Sequence, residues 1–121
     1  MARVTRQTRD TAGPLKPAAF LLLVSLASGD RHGYAIRKEV AARSGGSVRL
    51  GPASLDRTIA TLLESGLIEE SGHRPAPDVD DERRRYYRIT ERGRHALRDE
   101  THRLESLAAA ARAVMPIRGK S

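Results

Sequence analysis

The segment Arg83-Arg84-Arg85-Tyr86-Tyr87-Arg88-Ile89-Thr90 is the part of this chain best equipped for chemistry, and that chemistry is binding. Guanidinium groups are planar and permanently charged, and their fork of donors matches phosphate oxygens. In a strand, alternation sends Arg84, Tyr86 and Arg88 to one face and Arg85, Tyr87 and Ile89 to the other. The first set is the candidate for contact with a nucleic-acid backbone. Tyr87, sharing its side with Ile89, reads as core. Asp80-Asp81-Glu82 immediately upstream keeps a second reading open, a self-neutralised solvated loop. Arg74, beside His73, lies toward the tip of the same hairpin and could reach a phosphate or the minor groove.

A second constellation lies on a helix that starts at Gly51-Pro52 and ends before Gly66. Leu55, Ile59, Leu62 and Leu63 recur at the spacing of one helical face. The opposite face holds Ala53, Ser54, Arg57, Ala60, Thr61 and Glu64, mostly small residues with hydroxyls and one arginine. Small side chains permit close approach to a groove floor, while Ser54, Arg57 and Thr61 can reach base edges or phosphates. Tyr34 and Lys38 share a stripe on the preceding helix; the Tyr34 hydroxyl suits a phosphate, and packing against the hairpin is the competing reading.

Catalytic and metal chemistry find little support. There is no Ser-His-Asp order, no phosphate-cradling glycine loop and no carboxylate pair in an apolar setting, so no enzyme and no cofactor is expected. His95, Asp99 and His102 fall on one helical face, but such a stripe is usually solvated, and no metal is expected. With no cysteine, disulfides and thiolate catalysis are excluded.

The elements that must position these groups follow from periodicity and punctuation. Residues 1–16 read as a basic arm, with Arg3, Arg6, Arg9 and Lys16 against Asp10; minor-groove insertion and a plain loose terminus are its two readings. A first helix is expected from Pro17 to Ser28, apolar on most sides, with proline in its first turn and Gly29 behind it. A second, from about His32 to Ser44, takes Asp30 as its expected cap, and Ser47 to Leu50 is read as a small strand. Leu67 to Ser71 and Arg84 to Ile89 are the two strands of a hairpin, joined by a Pro- and Asp-rich loop. Thr90 caps a last helix that continues to about Met115, with Pro116 ending it.

On that helix Leu97, Leu104 and Ala111 repeat every seven residues, interleaved with Leu107 and Val114 and interrupted by Glu100. The stripe reads as a dimer seam, with packing on its own domain as the alternative. The expected layout is mainly α with a small β-wing: arm 1–16, winged helix-turn-helix 17–90, dimerisation helix 91–115 and tail 116–121. One domain of 121 residues with a net charge of +7 suits a polyanionic partner such as double-stranded DNA, although the charge alone would also fit other polyanion binders. The longest apolar run, around Ala18 to Ala27, is about half a bilayer span, and charged residues separate it from the N-terminus. No membrane association is expected, and the protein is read as cytoplasmic.

At this point the sequence resembles the PadR family of transcriptional regulators. The resemblance is carried by Leu21-Leu22-Leu23, His32-Gly33-Tyr34-Ala35-Ile36 and Leu50-Gly51-Pro52-Ala53-Ser54-Leu55. It continues through Leu62, Gly66-Leu67-Ile68, Arg84-Arg85-Tyr86-Tyr87-Arg88-Ile89-Thr90 and Gly93, covering about residues 18–115. It implies a winged-helix homodimer, usually a repressor and often released from its operator by a small molecule; the single C-terminal helix matches the family's smaller branch. Two positions depart: Asp56 stands where the family usually has tyrosine, and Gly51 where a serine cap is usual. Asp56 could accept from cytosine's amino group or pair with Arg57 or Arg37. If an effector binds, its expected place is between the first and last helices at the dimer interface, near Phe20. Rival readings are a small-molecule-binding dimer and a protein-interaction module on a winged-helix core.

Overall fold

The computed structural model describes residues 14–72 and 85–115. Helix α1 (Pro17–Ala27) starts on proline and is apolar around its circumference, so it takes the centre, with Leu22, Leu23 and Leu26 buried. Its one buried polar side chain, Ser25, returns its hydroxyl to the Leu22 carbonyl at 2.8 Å. Helix α2 (Gly33–Arg43) buries Ile36 and Val40 against α1. Helix α3 (Pro52–Glu64) buries Leu55, Ile59 and Leu62, the stripe its spacing predicts.

A three-stranded antiparallel sheet flanks the helices in the order β1-β3-β2, with β1 Arg31–His32, β2 Ile68–Ser71 and β3 Tyr86–Ile89. Ile68 faces Ile89 in register and both are buried; Glu69 lies opposite Arg88. The hairpin is therefore apolar where it meets α1 and charged beyond it. Helix α4 (Glu91–Val114) begins at Thr90, whose hydroxyl accepts from the Gly93 amide at 3.0 Å and donates to the Gly66 carbonyl at 2.7 Å. One threonine thus caps α4 and ties it to the turn leaving α3, where Gly66 takes φ +76°.

Two expectations are corrected. Asp30 does not cap α2: His32 does, its Nδ1 accepting from the Ala35 amide at 3.3 Å, while Asp30 accepts from Ser71 Oγ at 2.6 Å. The cap role passes to the residue one step before the helix, and Asp30 is left to fasten β1 to the end of β2. Nor do residues 47–50 form a strand. The open edge of β3 is taken by Arg31–His32, paired with Tyr87 and Tyr86. The 47–50 connection is held instead by side chains: the Val48 amide donates to Ser44 Oγ at 3.0 Å, and Arg37 Nε donates to the Leu50 carbonyl at 2.9 Å. The last helix ends at Val114 with Met115 as its cap, close to expectation. The expected arm as far as residue 13, the loop 73–84 and the tail 116–121 lie outside the described residues.

Candidate nucleic-acid interface

Helix α3 has one face locked into the core and the other exposed. Ala53, Ser54, Arg57, Ala60, Thr61 and Glu64 are all exposed, whereas Leu55, Ile59 and Leu62 are buried. Proline at the first position and an N-cap glycine without a side chain leave the first turn without any side-chain cap, so its amides face outward with Ser54 beside them. Arg57 stands one turn on from Ala53 and Ser54, and Thr61 a further turn along. Arg57 has no ion-pair partner among the described residues, so its guanidinium is available to an external partner. This row of hydroxyls, small residues and one guanidinium can enter a groove and hydrogen-bond there.

The sheet lies beside the start of α3. Tyr34 is 59% exposed and carries Lys38 over its ring, with Nζ 5.5 Å from the centroid. Its side chain borders a cleft of about 310 Å³ shared with His32, Leu55, Asp56, Arg85 and Tyr87. Tyr34 and Lys38 therefore project from α2 on the side where α3 begins. Asp56 lines this cleft and is exposed, whereas Arg37, one expected partner, is engaged with the Leu50 carbonyl. Burial raises the Tyr87 hydroxyl above the usual tyrosine range; Glu70 and Asp56 push the same way while Arg85 opposes them. Tyr87 packs against the core, as its alternation with Ile89 predicts.

The wing residues divide. Arg74 and Arg84 lie outside the described residues, as do Arg83 and His73. Tyr86 is half-buried and meets His32 edge-to-face, centroids 5.2 Å apart at 89°. That contact fixes its ring against β1. Arg88 is exposed but pairs with Glu69, Nε to Oε2 at 2.8 Å, and Arg85 pairs with Glu70 at 3.1 Å. Among the described residues, the acids that pair with these arginines stand across the strand, not in the Asp80-Asp81-Glu82 run upstream of them. The signal was present: an antiparallel hairpin registering Ile68 on Ile89 must set Glu69 against Arg88.

Helix α4 changes character at Glu100. Gly93, Ala96 and Glu100 are buried, Leu97 packs partly on the core, and every residue from Thr101 to Met115 is exposed. The exposed stretch carries Leu104 (40%), Leu107 (54%) and Val114 (79%) together with Ala111. Glu100 is only 5% exposed, held by both its oxygens to Arg103 and by the Leu15 backbone. The hydrogen bond from Arg103 holds this carboxyl below the usual glutamate range against the opposing effect of burial. Phe20 is half-buried on α1, on the helix that α4 packs against. His95 and His102 each approach a glutamate of their own helix, Glu91 and Glu105, at 3.9 Å. Among the described residues no helix is long and apolar enough to cross a membrane.

Comparison with known proteins agrees with this geometry. The transcriptional regulator PadR-like family matches residues 22–99. A transcriptional regulator from Clostridium thermocellum has a similar structure, with TM-score 0.66 at 22% identity, covering 95% of this chain and 97% of that one. A PadR family transcriptional regulator from Eggerthella lenta gives TM-score 0.64 at 20% identity, over 97% and 92% of the two chains. RosR from H. salinarum gives 0.55 at 23%, over 84% and 96%. No curated protein matches the sequence. The span of the family match, over a helix-turn-helix with a three-stranded wing, makes this chain a member of the PadR-like family of transcriptional regulators.

Proposed function

We propose that the protein is a sequence-specific DNA-binding repressor, cytoplasmic, that works as a homodimer on an inverted-repeat operator. Residues 17–90 bind DNA and residues 91–115 join the two copies. Helix α3 of each copy enters the major groove, where Ser54, Arg57 and Thr61 read or position bases. Tyr34, Lys38, Tyr86, Arg88, Arg74 and Arg84 face phosphates. Leu104, Leu107, Ala111 and Val114, continued by Leu97, form the seam, and an effector between α1 and α4 near Phe20 shifts the balance between spacings of the two α3 helices.

The observation that carries this reading is the exposed face of α3: one side supplies the core, and the other is a row of small and hydroxylated residues with one guanidinium, Arg57, and a single acid, Glu64, at its far end. The seam is supported by the apolar residues α4 leaves exposed beyond Glu100. The test is a mobility shift on fragmented genomic DNA, with the mass of the retarded complex measured. A few fragments shifted by two chains each fit the proposal. Equal retardation of all fragments, or complexes holding one chain, would refute it.

A further inference from the structure

A groove of about 330 Å³ opens between the start of α1 and the flank of α3. Its floor is aliphatic: Leu15, Ala18, Ala19, Leu62 and Leu67. Its rim carries the hydroxyls of Thr58, Thr61 and Ser65, and two charged groups, Lys16 and Arg57, both cationic. Neither cation has an ion-pair partner among the described residues. Among the described residues no aromatic side chain lines the groove. The volume is at the lower end of small-ligand pockets, which pair an apolar body with a few polar groups that fix orientation.

We infer that this groove binds an aliphatic monocarboxylate, its chain on the leucine and alanine floor and its carboxylate between Lys16 and Arg57. The argument is charge complementarity joined to shape. An apolar trough whose only charges among the described residues are two cations, with no ion-pair partner among those residues, favours a ligand with an apolar body and one anionic end. The absence of ring-stacking walls favours a flexible chain over a planar aromatic. The site lies within one subunit, apart from the Phe20 region. Its consequence depends on the proposed function: Arg57 also belongs to the face assigned to DNA, so a carboxylate that engages its guanidinium withdraws it from the duplex.

The probe is octanoate, with octan-1-ol as its uncharged twin, titrated into the isotopically labelled full chain. Saturable amide shifts at Ala18, Ala19, Thr61 and Ser65 are expected, with octanol about tenfold weaker because it forfeits the charge-assisted hydrogen bonds. The double variant Lys16→Gln/Arg57→Gln should bring octanoate down to the affinity of octanol and leave octanol unchanged. Ala19→Leu should block both ligands; if that variant fails to fold, the charge variant decides alone. Shifts centred on α4, equal affinity for the two probes, or an unaffected double variant would overturn the site. So would a groove already filled by a second copy or by residues 1–13, seen as octanoate producing no shift. Saturating octanoate should weaken binding to selected DNA, and unchanged binding would overturn the coupling. Octanoate bound here by a chain that selects no DNA would retain the site and refute the DNA reading instead.

Discussion

The Gly93→Ala substitution is a direct probe of how α4 is seated. Gly93 sits in the first turn of α4, and a Cβ built there would lie 2.1 Å from the Leu67 carbonyl oxygen and 2.8 Å from Ile89 Cγ1. The first of these is backbone, which cannot swing aside like a side-chain tip. Leu67 is itself fixed, because its carbonyl accepts from the Thr90 amide at 3.0 Å and its side chain is in the core. Relief therefore requires α4 to lift from the base of the hairpin. Alanine normally stabilises a helix interior by roughly 0.5–1 kcal/mol relative to glycine. Overpacking of a tight contact costs about 1–3 kcal/mol, and a clash with backbone belongs at the upper end. The net expectation is a loss of about 1–2 kcal/mol, which lowers the melting temperature by roughly 4–16 °C at the sensitivity of a small domain. Circular dichroism melts of the variant and parent at equal concentration measure it. Because α4 sets how two copies would be joined, the surviving fold should also prefer a different half-site spacing. A melting temperature equal to or above the parent's would refute the contact and the lifting of α4 inferred from it.

Other outcomes follow from the same structure. Glu69→Gln frees Arg88 and should tighten binding to operator and random duplex alike by roughly twofold to fivefold, the scale of an exposed ion pair; weaker binding on a filter or gel assay would contradict this. Arg57→Ala should weaken operator far more than random DNA, and equal losses would remove it as a base reader. Leu104→Glu with Leu107→Glu should leave a folded monomer in sedimentation velocity, since both side chains are exposed in the single chain; an unchanged mass would refute the seam. Glu100 has a lowered folded-state pKa, so its stabilising contribution is fully present above the ordinary glutamate value near 4.3 and is lost as pH falls through the lower folded value. Urea melts of Glu100→Gln should therefore show less acid destabilisation than the parent below about pH 4.3, and parallel curves would show that the group is not linked to folding.

Legibility in the sequence tracked how many residues share one period. Helix α3 carries Leu55, Ile59 and Leu62 at helical spacing, and both its buried and exposed faces lie where that spacing predicts. In β3 the alternation holds only for exposed Arg88 and buried Ile89: Tyr86, expected outward, is half-buried against His32, and Arg85, expected inward, is exposed. Strand β1, only Arg31–His32, is too short to show any period, and it runs directly into a helix whose cap is a histidine instead of Asp30. The heptad on α4 was legible, but not where it is shared: the first part, through Leu97, serves the domain's own core, and the exposed stripe begins only past buried Glu100. Periodicity shows that a helix has an apolar face, not which neighbour covers it. The Glu69–Arg88 pair shows the same limit, because cross-strand charge depends on register, which a sequence read along one strand omits.

On the proposed reading, the outward face of α3 reads DNA in pairs. Repeated selection of bound molecules from random duplex, at near-physiological salt, tests it most directly. The expected product is an inverted repeat whose half-site centres lie about one helical turn apart, roughly 34–36 Å. A pool that stays random after several rounds, or yields single unpaired half-sites, would contradict it.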